Sequence, residues 1–99
     1  MRLLQVTIPS SGVANLGNAG NGLFNGLHFQ QATIQNNTAG SIGIGDSTVS
    51  ATKGILLAAG TPGSTLTSTY SIAYAGSLNE WYAYNLGTSA ATLDILILE

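Results

Sequence analysis

The chain has no cysteine, so it carries no disulfide framework and no thiolate metal site, and its redox compartment cannot be read. Charge is nearly as scarce: two basic and four acidic side chains make up 6% of the 99 residues, against roughly 25% in an average domain. Arg2 and Lys53 are the only cations and the formal net charge is −2. That removes the basic footprint a phosphate backbone requires, so no nucleic-acid partner is expected. Long apolar runs are missing too. The patch in MRLLQVTIPSS is too short for a signal-peptide core or a membrane span, so neither secretion nor membrane insertion is expected. No window keeps apolar residues at i, i+3, i+4 and i+7 beyond one turn, which excludes a helical domain.

The residues that are present are 44% apolar, enough for one core. A chain of this length buries about 60 to 70% of its unfolded surface and has little room for a second domain. Its polar surface must come from Ser, Thr, Asn, Gln and Gly. A surface with so little charge offers weak repulsion between copies, and such a protein tends to associate.

Period-two alternation recurs along the chain and marks strands. It is cleanest in TLDILIL (92–98), where Leu93, Ile95 and Ile97 share one face. Leu96 and Leu98 give the opposite face apolar character as well, which predicts cover from another sheet or another subunit. WYAYNL (81–86), STLTSTYSIAYA (64–75), GILLA (54–58), SIGIG (41–45) and LHFQQATIQN (27–36) read as further strands rich in residues that fit a pleated surface. TPGS (61–64) is turn chemistry, and NNTAG (36–40) reads as a hairpin loop. SLNEW (77–81) predicts a brief helical turn, with Ser77 as cap and Glu80 in the capping-box position.

Strands recurring about every ten residues predict an all-β fold, a small β-sandwich or jelly-roll-like barrel. Residues 10–26 differ, with five glycines and four asparagines around isolated apolar residues. Such a segment is costly to order and is read as a flexible loop or an arm ordered by a partner. The expected organisation is an N-terminal strand and Gly/Asn-rich arm over 1–26, followed by a β-sandwich body over 27–99.

In IGIGDSTVSATKG (42–54), the Gly45-Asp46-Ser47 block is similar to the nucleophile block of GDS-type serine esterases. A serine nucleophile needs a base and a group to orient it. The sole histidine, His28, precedes Ser47 and has no acid nearby, whereas those esterases place the base after the nucleophile on a longer α/β fold. Gly45, Asp46 and Ser47 are therefore read as a turn leaving a strand, with Asp46 capping it, Ile42 and Ile44 pointing inward, and no catalytic residue assigned. His28 is read as a strand residue facing solvent or making one hydrogen bond.

GNAGNG (17–22) lacks the strand, helix and Lys of a phosphate-binding loop. Asp46, Glu80, Asp94, Glu99 and His28 are too dispersed to predict a metal site, and a lone Ca²⁺ held partly by Asn and backbone carbonyls is the single metal reading left open. No cofactor is expected. Asn36-Asn37-Thr38 fits a glycosylation acceptor, but no secretion signal accompanies it. Tyr70, Tyr74, Trp81, Tyr82 and Tyr84 fall in neighbouring strands. An exposed set, with Trp81, Tyr82 and Tyr84 foremost, would stack on sugar rings or form a protein hot spot; the structural alternative sends alternate rings into the core, Trp81 first.

The run from Gln31 to Leu57, with IGIGDSTVS, Lys53-Gly54 and an L-x-x-G ending at Gly60, resembles small virion proteins of tailed bacteriophages. Pro62-Gly63, Trp81-Tyr82 and the final strand Leu93 to Leu98 continue that likeness over residues 27–98; residues 10–26 have no counterpart in it. The resemblance implies a non-enzymatic structural unit of the virion, a head decoration (cement) protein on the capsid surface or a tail or fibre component. It implies a homo-oligomer, preferably a trimer, whose other partner is the major capsid protein. A carbohydrate- or receptor-binding β module of a tail or fibre is the alternative.

Overall fold

A computed structural model describes residues 1–18, 26–38, 40–60 and 68–99. Among these described residues ten strands and one short 3-10 turn follow one another: β1 (Arg2–Ile8), β2 (Val13–Asn15), β3 (His28–Phe29), β4 (Gln31–Asn36), β5 (Ile42–Gly45), β6 (Ile55–Leu57), β7 (Thr69–Ile72), β8 (Gly76–Ser77), the turn Leu78–Glu80, β9 (Tyr82–Asn85) and β10 (Ala91–Leu98). The fold is all-β. Every strand pairing is antiparallel, and the strands form a first sheet in the order β1-β10-β4-β7 and a second in the order β2-β9-β5-β6. Counting only these eight strands in chain order, the sheets read 1-8-3-6 and 2-7-4-5, the interleaving of a jelly roll.

The short β3–β8 pair prolongs the β4–β7 ladder. Ala32 faces Ile72 and Phe29 faces Gly76, so residues 30–31 on one side oppose 73–75 on the other, a one-residue bulge that bends the sheet. LHFQQATIQN is thus two strands. The strand read in STLTSTYSIAYA covers Thr69–Ile72, while residues 64–67 and the whole TPGS turn (61–64) lie outside the described residues.

Alternation sets the core. Leu4, Val6 and Ile8 of β1, Ala32 and Ile34 of β4, and Leu93, Ile95 and Ile97 of β10 point inward and meet Ile42, Ile44, Leu57 and Ala83 of the second sheet. Each buried aliphatic side chain contributes about 1.5–3 kcal/mol. Residues 13–16, which the sequence groups with the arm, form β2 and the fully buried Leu16; residues 19–25 lie outside the described residues.

NNTAG is not a hairpin loop, because β4 and β5 belong to different sheets. The chain turns that corner around Asn36, which is fully buried. Its Oδ1 accepts from the Thr38 amide at 3.0 Å, and its Nδ2 donates to the carbonyls of Gly40 and Ala58 at 2.9 and 3.0 Å. The return crossing, from β9 to β10, is built the same way on the fully buried Asn85. Its Oδ1 accepts from the Gly87 amide at 2.8 Å, and its Nδ2 donates to the carbonyls of Ser89 and Ile8 at 2.8 and 3.2 Å. Both asparagines satisfy backbone groups two and four residues ahead, where a crossing strand leaves them unpaired. The corners touch: a Cβ added at Gly40 would lie 3.3 Å from the Gly87 Cα.

Candidate functional site

The IGIGDSTVSATKG stretch starts as β5, whose isoleucines are fully buried, leaving Gly43 and Gly45 to face outward. The chain then folds back over that outer face. Val49 is 7% exposed and its side chain would lie 3.7 and 3.5 Å from a Cβ placed on Gly43 and Gly45. A larger outward residue would fill the space Val49 occupies. Gly54 closes the loop at φ +150, and a Cβ there would stand 2.7 Å from Val49 Cγ2, so the position favours glycine on both conformation and space.

Asp46 organises the turn, as its place after β5 predicts. Its Oδ1 accepts from the Thr48 amide at 2.8 Å and from the Thr48 hydroxyl at 2.5 Å, and its carbonyl accepts from the Val49 amide at 3.0 Å. The Thr48 hydroxyl, then the Thr48 amide, hold the Asp46 carboxyl below its ordinary range, with a smaller pull from Lys53. Ser47 sits exposed in that turn. The Oδ1 of Asp46 serves Thr48. His28 is an exposed residue of β3 opposite Ser77, on the β4–β7 side of the fold.

The aromatic residues part company at β9. Ala83 and Asn85 are buried while Tyr82 and Tyr84 are half-exposed between them, so both tyrosines lie on the outward face of the second sheet. Trp81 falls on the inward side of the strand: it packs against the core, its ring 5.9 Å from that of Tyr70 and tilted by 49°. The predicted turn before it is present, with Ser77 capping and the Glu80 carboxylate accepting from the Ser77 amide at 2.7 Å.

Two surface features collect the residues left over. The first is a cleft of about 210 Å³ lined by Asp46, Tyr74, Glu80 and Trp81. Gly45 faces Tyr82 across the β5–β9 ladder, and one step further along that register brings Asp46 opposite Trp81. Tyr74 enters from the bulge between β7 and β8. Sequence reasoning named Asp46, Glu80 and Trp81 in separate roles and did not join them, because their union depends on the pairing of strands far apart in sequence.

The second feature is the outward face of β1 and β10. Leu3 and Leu96 are direct cross-strand partners, and Leu98 follows on the same face beside Met1. Exposure is 70% for Leu3, 39% for Leu96, 43% for Leu98 and 84% for Met1. Leu96 and Leu98 were anticipated; Leu3 and Met1 needed the register. A polar group closes one end, where Asp94 accepts from Gln5 Nε2 at 2.9 Å and from the Asn37 side chain. At the other end Arg2 pairs with Glu99 at 2.8 Å, an exposed contact contributing at most about 1 kcal/mol.

Among the described residues no three His, Asp or Glu side chains are grouped to hold a metal ion, and no helix is long and apolar enough to cross a membrane. No family model, curated protein or solved structure matches this chain.

Proposed function

We propose that the protein is a non-enzymatic assembly unit that associates with its own copies, and that it serves as a capsid decoration (cement) protein of a phage head. The observation that carries this reading is the block of four large aliphatic side chains, Met1, Leu3, Leu96 and Leu98, turned outward on β1 and β10. A contiguous exposed apolar patch on a weakly charged surface marks an interaction site; Val13, Ile55, Leu56 and Leu86 are exposed elsewhere, on or beside the second sheet. Six charged side chains in the whole chain leave little long-range repulsion to oppose contact between copies.

The Arg2–Glu99 pair at the rim supplies one charge of each sign, so two copies can meet there without like charges opposed. Attachment to a shell would follow from repetition: many weak contacts over a lattice add through effective concentration. A trimer is the preferred stoichiometry, since local threefold positions repeat over such a shell of major capsid protein. The jelly-roll topology suits this role but carries no function by itself. The carbohydrate-binding alternative relies on Trp81, Tyr82 and Tyr84 acting as one platform; Trp81 packs inward against Tyr70 while the two tyrosines face outward, and assembly is favoured over it.

The mass of the purified protein in solution tests self-association, with three times the 10.1 kDa of one chain expected. A monomer at all concentrations up to millimolar would sink the oligomer. Phage particles from the source that contain no copies of the chain would sink the virion role.

A further inference from the structure

The cleft at Asp46, Tyr74, Glu80 and Trp81 shares no residue with the β1–β10 face, and its lining has a definite chemistry. It combines two carboxylates and two aromatic residues in about 210 Å³, with no basic residue in its lining. Arg2 is engaged at the far rim with Glu99, and Lys53 lines a neighbouring groove on the other side of Asp46.

Both carboxylates are held in place by local backbone. Asp46 Oδ1 is fixed by Thr48 and Glu80 Oε1 by the Ser77 amide, so each has a second oxygen uncommitted by these bonds. Tyr74 is 61% exposed, and Trp81 is supported from behind by Tyr70. Asp46, Glu80 and Trp81 are therefore positioned before anything binds.

Three kinds of ligand can be weighed on this lining. A hard divalent ion takes six to eight oxygens, or near-octahedral geometry with several waters; two side-chain carboxylates flanked by aromatic residues supply too few. A neutral sugar would stack on the rings but leave two like charges uncompensated as water is displaced. An organic cation answers both walls at once, attracted by the carboxylates and by the negative faces of the aromatic rings.

We propose that this cleft binds an alkylammonium group, with Asp46 and Glu80 as its counter-charges and Tyr74 and Trp81 as its aromatic walls. The group is carried either by a free small quaternary ammonium compound or by a lysine side chain of a polypeptide. Trp81 is the sole tryptophan, so its fluorescence reports on this cleft alone.

The test is a titration of the full chain, followed by Trp81 emission at constant ionic strength. The probes are choline, N-acetyl-lysine methylamide, 3,3-dimethylbutan-1-ol (the neutral isostere of choline) and CaCl₂. A saturable change with either ammonium probe and none with the alcohol or Ca²⁺ is expected, at concentrations on the order of millimolar. Which ammonium probe binds more tightly identifies the source.

Glu80→Gln should weaken binding about two- to five-fold, as should Tyr74→Ala, the range for exposed charge and cation–aromatic contacts. Gln keeps the capping-box bond to Ser77 and Tyr74 lies on the surface, so both variants should retain the far-ultraviolet circular dichroism of the parent. The idea is overturned if the neutral alcohol or Ca²⁺ gives the same saturable change, if neither ammonium probe gives one, or if both folded variants bind as the parent does.

Discussion

On the second sheet, β5 turns Gly43 and Gly45 outward and the chain's own Val49 fills the space above them; on the first, β1 and β10 turn Leu3, Leu96 and Leu98 outward into solvent. Both sheets bury the same kind of inward residue, isoleucine or leucine, so the inner faces do not distinguish them. The outward residue decides. A strand that alternates Ile with Gly can be covered by its own following loop, because nothing stands in the way. One that alternates Ile with Leu leaves its outward side chains in solvent. IGIG and ILIL differ at two positions, and that difference separates a strand covered by its own loop from one whose outward leucines face solvent; the neighbouring β6 of the second sheet still exposes Ile55 and Leu56.

The contrast can be broken most severely at Val49. Val49→Asp places a charge against the outer face of β5 and should cost about 3 kcal/mol or more, read as a lowered midpoint in chemical denaturation. A variant as stable as the parent would mean the loop does not cover the sheet. Exchanging Leu3 and Leu96 for Gln on the other face should leave monomer stability within about 0.5 kcal/mol while abolishing self-association in sedimentation; an oligomer unchanged by both substitutions would remove this face from the interface.

Gly43→Ala sharpens the comparison at lower amplitude. Its new methyl would meet Val49 at 3.7 Å, an ordinary contact, so stability should shift by less than about 1 kcal/mol, whereas Gly43→Leu should displace the loop and expose Val49 to solvent-accessible labelling. The smallest effect belongs to pH. The folded pKa of Asp46 lies below its ordinary value of 3.8, so the stabilisation of the turn by this carboxylate is complete above the unfolded value and is lost as pH falls through the lower folded one. The Thr48 amide resonance should hold steady from pH 7 to about 5 and move only below about pH 4; a transition near pH 6 would contradict the assignment.

Much of the fold is legible in the residues because strands and turns are local. Ile42 and Ile44 are inward, Asp46 caps its turn, and Ser77 with Glu80 closes the capping box, each within four residues of its partner. The role of NNTAG was not legible. A turn back within one sheet and a crossing between sheets use the same asparagine chemistry, and only the distant partners of Asn36, at Leu57 and Ala58, tell them apart. Val49 also escaped notice, since Gly43 read only as a strand residue and Gly45 as the start of the turn, and neither signals what covers it. The cleft and the aliphatic block depend on register between strands more than 30 residues apart, which alternation alone does not specify.

The paired asparagine corners bear on the lifetime of the folded state. Asn36 reaches the Ala58 carbonyl after β6 and Asn85 reaches the end of β1, so these two long-range bonds close only once both sheets have met. If these cross-sheet bonds form after the main folding barrier, Asn36→Ala and Asn85→Ala should speed unfolding and leave the refolding rate unchanged in stopped-flow kinetics. The corners would then act as latches, governing how long the sandwich stays shut more than how quickly it closes.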